Sequence, residues 1–133
     1  MQGELIGEEQ GKVTGIRVLP SEGGPKVEVT FRTNTKILGL EAINLGTYSS
    51  AVQPGGFLYG EGQGVLTTKG GDMASWTGSG TGQLKPGGGV SYRGSIYFRS
   101  ASGQLARLAG MAAVYEHETD ANDNVSTKYW EWK

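Results

Sequence analysis

The chain has 133 residues, no cysteine, and a net charge of −1 at pH 7 from 12 basic and 13 acidic side chains. This length suits one domain spanning residues 1–133, and the lack of cysteine excludes disulfides, thiolate metal ligands and thiol nucleophiles. The near-neutral balance argues against nucleic acid or an anionic membrane surface as the main partner.

The first twelve residues, MQGELIGEEQGK, are polar and acidic, so they do not resemble a signal peptide. No apolar run approaches the roughly 18–20 residues of a membrane helix. A chain free of cysteine also suits a reducing compartment. We therefore expect a cytoplasmic protein with no membrane partner.

Glycine is the unusual component of the chain. There are 24 glycines, whereas an average composition of about 7% would give roughly nine. Apolar and polar residues alternate in short runs, and no stretch has the 3.6-residue period of a helix. Composition and pattern together predict a glycine-rich all-β protein.

The alternating runs are separated by turn-forming sequences such as PSEGGP, QPGG, KPGGG and DANDN. The predicted strands are 3–8, 12–19, 26–33, 36–53 (broken near Gly39 or Gly46), 56–68, 72–84, 90–99, 105–118 and 125–132. Short turns between long strands favour antiparallel hairpins, and closing the sheet removes its exposed edges. We expect a single antiparallel up-and-down β-barrel of about eight strands, with little or no helix.

The alternation also assigns faces. Val27, Val29 and Phe31 point inward from 26–33, opposite Lys26, Glu28, Thr30 and Arg32. By the same rule Tyr92, Ile96 and Phe98 point inward from 90–99, since successive side chains of a strand lie on opposite faces.

Two glycine runs fall on the inward face. They are Gly60, Gly62, Gly64 and Gly78, Gly80, Gly82, flanked by Leu58, Leu66, Trp76 and Leu84. Two neighbouring strands would then line one wall of the barrel without side chains. The space is filled by large side chains from other strands, or it remains a cavity, because an eight-stranded barrel is just wide enough for either. The predicted ligand-binding residues are Gly62, Gly80, Trp76, Tyr92, Phe98 and Trp130.

The predicted strand 105–118 has small apolar residues on both faces. In a barrel one face meets the lumen, and the other needs a partner if it is to leave water. We therefore expect a homo-oligomer that associates through this strand.

Few residues suggest catalysis or metal binding. Glu116 is the catalytic candidate if its face of strand 105–118 is luminal; the alternative is a charge at the rim in water, because lone carboxylates are rarely buried. His117, the only histidine, is expected to be a solvated residue near a strand end. Asp120, Asn122 and Asn124 match positions 1, 3 and 5 of a calcium loop, but Val125 stands where that loop needs glycine. We expect no metal and no cofactor.

Residues 56–115 contain YGEGQGVLTTKGGDMASWTGSGTGQ followed by GGVSYRGSIYFRSASGQLARLAG. Through the glycine alternation, Trp76, the YRG triplet and the F-x-S-x-S-x-x-L spacing, this stretch resembles small prokaryotic proteins that are similar to the allene oxide cyclase-like β-barrel superfamily, relatives of the dirigent proteins. The resemblance implies an eight-stranded barrel, often oligomeric, whose apolar lumen binds or shapes small hydrophobic molecules. Some members catalyse cyclisation by enforcing a substrate conformation.

Three functions stay open at this point. The first is binding of a small, largely apolar molecule in the lumen. The second is a cyclase or isomerase that works mainly by pre-organisation, assisted by one buried carboxylate or tyrosine. The third is a filled barrel that serves as an oligomeric structural or interaction module. A cavity of roughly a few hundred Å³ with convergent polar groups would favour the first two, and a packed interior the third.

Overall fold

The alternating runs form strands that join into one closed sheet. The computed structural model describes residues 3–133, which form a closed barrel of eight antiparallel strands in sequential order. The strands are β1 (Leu5–Val18), β2 (Lys26–Ile37), β3 (Leu40–Val52), β4 (Leu58–Thr68), β5 (Met73–Leu84), β6 (Val90–Ala101), β7 (Ala112–Thr119) and β8 (Asn124–Glu131). The predicted all-β barrel is thereby confirmed. Within residues 3–133, no helix has the length and apolar character needed to cross a membrane.

The predicted division of the first strand is wrong, whereas the predicted break near Gly39 is confirmed. The segments 3–8 and 12–19 form one strand, β1, whose register shifts by one residue between Val13 and Gly15. The segment 36–53 is interrupted by a two-residue turn at Leu38 and Gly39, with φ of 52° and 79°. Positive φ at both central residues gives the turn type whose twist matches a β-hairpin.

The predicted strand 105–118 is wrong over its first half. Gly103–Leu108 form a 3₁₀ helix, and the strand begins only at Ala112. Leu105 and Leu108, three residues apart, share one side of the 3₁₀ helix and are fully buried. Much of the apolar surface that suggested an interface is therefore internal, and a homo-oligomer through this segment stays a prediction.

The buried leucines of the 3₁₀ helix close one end of the barrel. They join a cluster of buried apolar side chains from most of the strands. That cluster includes Ile6, Ile37, Leu66, Ala74, Phe98, Met111 and Ala113. This end of the lumen is packed, so any open space lies further along the barrel axis.

The two glycine runs face inward, as predicted, and aromatic rings lie against them. A Cβ added at Gly64 would lie 2.3 Å from the Trp76 ring, and one at Gly60 would lie 3.0 Å from the Tyr92 ring. Glycine is thus required because the rings occupy the space of its missing side chain. Leu84 follows the same alternation but is 70% exposed at the last position of β5, so it is not buried as the other flanking residues are.

Candidate functional site

The two glycine runs of β4 and β5, named here the glycine wall, are Gly60, Gly62, Gly64, Gly78, Gly80 and Gly82. Between this wall and the aromatic side chains the lumen contains a cavity of about 60 Å³. Its lining residues are Phe31, Tyr48, Gly60, Glu61, Gly62, Trp76, Gly78, Tyr92, Ile96, Tyr115, His117 and Tyr129. Six of these twelve are Phe, Tyr or Trp, and none is Lys or Arg. The interior is therefore partly filled by rings and partly open, between the two outcomes that the sequence left possible.

The strand register brings polar side chains into one row around the lumen. Glu9 on β1 pairs with Thr127 on β8, Thr127 with His117 on β7, and His117 with Tyr92 on β6. All four residues are buried. Within residues 3–133, Glu9 and His117 are the only buried residues of the Asp, Glu, Lys, Arg and His types.

His117 is a buried residue, and the expectation of a solvated strand end is wrong. Its Nδ1 lies 2.8 Å from the Thr127 hydroxyl, and its Nε2 lies 3.5 Å from the Tyr48 hydroxyl. The imidazole packs edge-on to the Tyr48 ring at 5.5 Å and tilted to the Phe31 ring at 5.8 Å. Burial lowers the pKa of His117 to about 4, so the ring is neutral at pH 7.

Three tyrosines form the polar side of the cavity. Burial raises the pKa of Tyr48 and of Tyr92, and it raises the pKa of Tyr115 to about 12. The Tyr92 hydroxyl is hydrogen-bonded to the Ser50 hydroxyl, which helps to fix that ring. These phenols are therefore neutral hydrogen-bonding groups at pH 7.

Glu9 is the buried carboxyl group of the lumen. Its Oε1 accepts hydrogen bonds from Asn44 Nδ2 at 3.0 Å and from the Thr35 hydroxyl at 3.3 Å. Asn44 Oδ1 in turn accepts a hydrogen bond of 2.8 Å from Trp76 Nε1. Glu9 Oε2 is buried and has no partner among residues 3–133. Burial raises the pKa of Glu9, and burial together with the nearby Glu9 charge raises the pKa of Tyr129 well above its usual value.

The structure places most predicted ligand-binding residues at the lumen. Gly62, Trp76 and Tyr92 line the cavity. Gly80 faces inward beneath the Tyr115 hydroxyl, which would lie 2.5 Å from an added Cβ. Phe98 is buried in the packed part of the interior, beside the cavity but not in its lining.

Two predicted site residues lie outside the lumen. Trp130 follows the inward Tyr129 on β8, so the alternation places its half-buried ring on the outer face. The inward residues of β8 are instead Val125, Thr127 and Tyr129, all of which are buried.

Glu116 is also on the outer face of β7. Its carboxylate lies 2.6 Å from the Arg93 guanidinium, and both side chains are partly exposed to water. The luminal interpretation of Glu116 is therefore wrong, since His117 is the inward residue at this point of the strand.

The luminal residues that were not predicted from the sequence are Glu9, Tyr48, Tyr115, His117 and Tyr129. A signal for Glu9 was present in the alternation of Gly7, Glu9 and Gly11, which share the inward face. The predicted break between residues 8 and 12 hid that signal.

No cluster of three or more potential metal-ligating side chains occurs among residues 3–133. In the loop that resembles a calcium site, Asp120 Oδ1 instead accepts hydrogen bonds from the backbone of Asn122 and Asn124, at 2.9 and 3.0 Å. This arrangement is a hairpin tip closed by its own aspartate.

Comparison with known proteins identifies the fold. No family model matches the sequence, and no curated protein matches it. A protein of unknown function from Clostridium acetobutylicum has a similar structure, with a TM-score of 0.84 over 100% of this chain and 97% of its own, at 13% identity. The conserved protein of unknown function RPA1785 from Rhodopseudomonas palustris gives a TM-score of 0.80 over 98% and 96%, at 12% identity.

Proposed function

We propose that the barrel binds a small molecule with a largely apolar surface in the aromatic cavity of its lumen. The observation that supports this most directly is the glycine wall of β4 and β5, which leaves space opposite Tyr48, Tyr115 and His117. Glycine weakens a strand because it supplies no side chain to pack. The two runs leave room both for the rings that lie against Gly60 and Gly64 and for the cavity, and larger side chains at Gly62 and Gly78 would narrow that cavity.

The size of the cavity limits its occupant. About 60 Å³ is several times the roughly 10–15 Å³ that one water needs, but less than the roughly 150 Å³ of a cavity known to hold benzene. A larger occupant therefore requires a ring to turn. Tyr48 and Tyr115 are only half-buried although they point inward, so we expect these two rings to move.

The likeness of residues 56–115 to allene oxide cyclase-like barrels supports the same proposal, since that resemblance implies an apolar lumen for small hydrophobic molecules. An enzyme of cyclase or isomerase type is the second candidate. It is favoured by Glu9, a buried carboxyl group with one unpartnered oxygen beside Tyr129, which lines the cavity. A Glu9→Gln variant that keeps ligand affinity but loses turnover would favour the enzyme over the binding protein.

Xenon provides a test that needs no knowledge of the ligand, because it enters small apolar cavities. We expect ¹²⁹Xe NMR to detect binding to the unaltered chain. Gly78→Ala should weaken it, since Gly78 lines the cavity and its new methyl group would lie 3.1 Å from Ser95 O. Gly15→Ala is the matched control, with no atom within 4 Å of the added Cβ.

Native mass spectrometry of protein taken directly from lysate should complement this test by showing a retained small molecule. Absence of both xenon binding and a retained molecule would refute the proposed function. Equal xenon binding by the two glycine variants would instead place the binding site elsewhere.

A further inference from the structure

We infer that the ligand is an organic cation whose methylated ammonium group is enclosed by the aromatic rings of the lumen. The inference rests on the proposed function and names the ligand class for the same cavity. It follows from the orientation of the rings, from the charges around them, and from the size of the space.

The glycine wall determines how two of the rings lie. Tyr92 spans two strands, because a Cβ at Gly60 would meet its Cε1 at 3.0 Å and a Cβ at Gly82 would meet its Cδ1 at 2.9 Å. Trp76 likewise lies 2.3 Å from the Cβ position of Gly64 and 2.8 Å from that of Gly46. Both rings therefore lie against bare backbone, and both line the cavity.

Tyr48 and Phe31 complete the enclosure of the space, and Phe31 lies nearly parallel to Trp76, with ring centroids 6.4 Å apart and planes at 23°. Tyr48 is edge-on to Tyr92, with centroids 5.9 Å apart and planes at 69°. Phe31 is tilted by 52° to Tyr48 at 6.1 Å. Rings in several orientations around one small cavity form an aromatic cage, the arrangement that recognises quaternary and methylated ammonium groups through cation–π attraction.

The charges favour a cation over an anion. No Lys or Arg lines the cavity, so a carboxylate or phosphate would be buried without a counter-charge, which is strongly unfavourable. Neutral His117 adds no positive charge at pH 7. Glu9 lies near Tyr129, and its buried Oε2 has no hydrogen-bond partner within the described chain. A cation bound in the cavity would favour the ionised form of this carboxyl group. Glu61 is an exposed outer residue that accepts a hydrogen bond from Tyr59.

The size of the space favours a compact head group over a fatty chain. Methyl groups on nitrogen offer an apolar surface to the rings, and a methylated ammonium is far less hydrated than a bare one. The half-buried Tyr48 and Tyr115 are the rings that would turn to admit it.

The test compares choline with its neutral isostere 3,3-dimethyl-1-butanol, which has the same shape without the charge. Binding to the full chain at pH 7 is measured by ligand-observed NMR and by tryptophan fluorescence. We expect choline to bind at least tenfold more tightly than the isostere, the size of a desolvated cation–π contribution. Xenon binding is measured on the same samples.

Variants at Tyr92 separate the π-face from the hydroxyl group. Tyr92→Phe keeps the ring and should retain choline affinity, whereas Tyr92→Leu should lose about tenfold or more. Tyr115→Phe and Tyr115→Leu provide a second pair, in case loss of the buried Tyr92 ring prevents folding.

The outcomes distinguish this inference from the proposed function. If the isostere binds as well as choline, or if xenon binds and choline does not, the cation inference is overturned while the lumen remains a binding site. If neither xenon nor choline binds, both are overturned. Equal losses for the Phe and Leu variants would also contradict a cation–π role.

Discussion

Replacing His117 with Phe should change how the stability of the barrel depends on pH. His117 is buried between the Phe31 and Tyr48 rings and is held neutral, with its pKa lowered from 6.5 to about 4. The unfolded chain exposes an ordinary histidine, which gains a proton below about pH 6.5. Between these two pKa values the unfolded state binds more protons than the folded state, so stability is lost as the pH falls.

The magnitude follows from the two pKa values. One pKa unit corresponds to about 1.36 kcal/mol, and the difference here is 6.5 − 4, or about 2.5 units. When the difference in bound protons is integrated from pH 7 down to pH 4, the titration of His117 should lower the free energy of unfolding by about 3 kcal/mol. For a domain with roughly 5–15 kcal/mol of total stability, that is a large share.

The assay is urea unfolding at several pH values between 4 and 7.5, monitored by tryptophan fluorescence. His117→Phe retains a ring of similar size, although it loses the hydrogen bond with Thr127, so it should be less stable at pH 7. The measured quantity is the difference between wild type and variant at each pH. The free energy of unfolding of wild type minus that of the variant should fall by about 3 kcal/mol from pH 7 to pH 4, because only wild type contains the titrating His117.

Glu9 provides an internal control of opposite sign. Its pKa is raised by burial, so its folded state retains a proton that the unfolded state loses, and stability falls as the pH rises above about 4.5. This effect is common to wild type and His117→Phe and cancels in their difference, whereas Glu9→Gln removes it. A difference between wild type and His117→Phe that stays constant from pH 4 to 7 would refute the argument, since it would mean that His117 titrates normally in the folded protein.

Three further substitutions test the packing. Gly64→Ala should destabilise the barrel by about 1–3 kcal/mol, because the new methyl group would overlap the Trp76 ring. Gly15→Ala is the control and should be neutral or slightly stabilising. Equal urea midpoints for the two variants would contradict the glycine-wall account. Leu105→Ala should cost about 2–5 kcal/mol by emptying a fully buried site, and a loss under 1 kcal/mol in the same assay would show that the 3₁₀ helix does not seal the barrel end. Trp76→Phe should leave Asn44 Oδ1 without its hydrogen bond, at about 1–3 kcal/mol, and unchanged thermal stability would contradict this.

The barrel could be predicted from the sequence because its strands obey a strict period of two. Val29, Phe31, Tyr92, Ile96 and Phe98 are all buried, as their alternation predicted. Turn residues bounded most strands to within a few positions. Sequential antiparallel pairing then follows from short connections, and the only remaining question is whether the sheet closes.

The local sequence pattern could not predict the conformation or burial of residues whose positions depend on tertiary packing. Leu105 and Leu108 fit a strand as easily as a 3₁₀ helix, and only the open barrel end explains why they turn inward. His117 and Glu9 are polar residue types, which are usually exposed to water. They are buried because the alternation of their strands directs them into the lumen. The width of the cavity depends on ring positions from distant strands, which no stretch of sequence contains.

The β1–β8 seam has a consequence for folding. Seven of the eight strand pairings join neighbours along the chain, but the seam joins Lys12 to Asn124 across 112 positions. Closing so long a loop costs about 2 kcal/mol more than closing a hairpin of about ten residues. A barrel opened at this seam would expose two long unpaired strand edges, which are templates for aggregation. Because the lumen is complete only when the seam is shut, a molecule held there would oppose opening and so protect both edges.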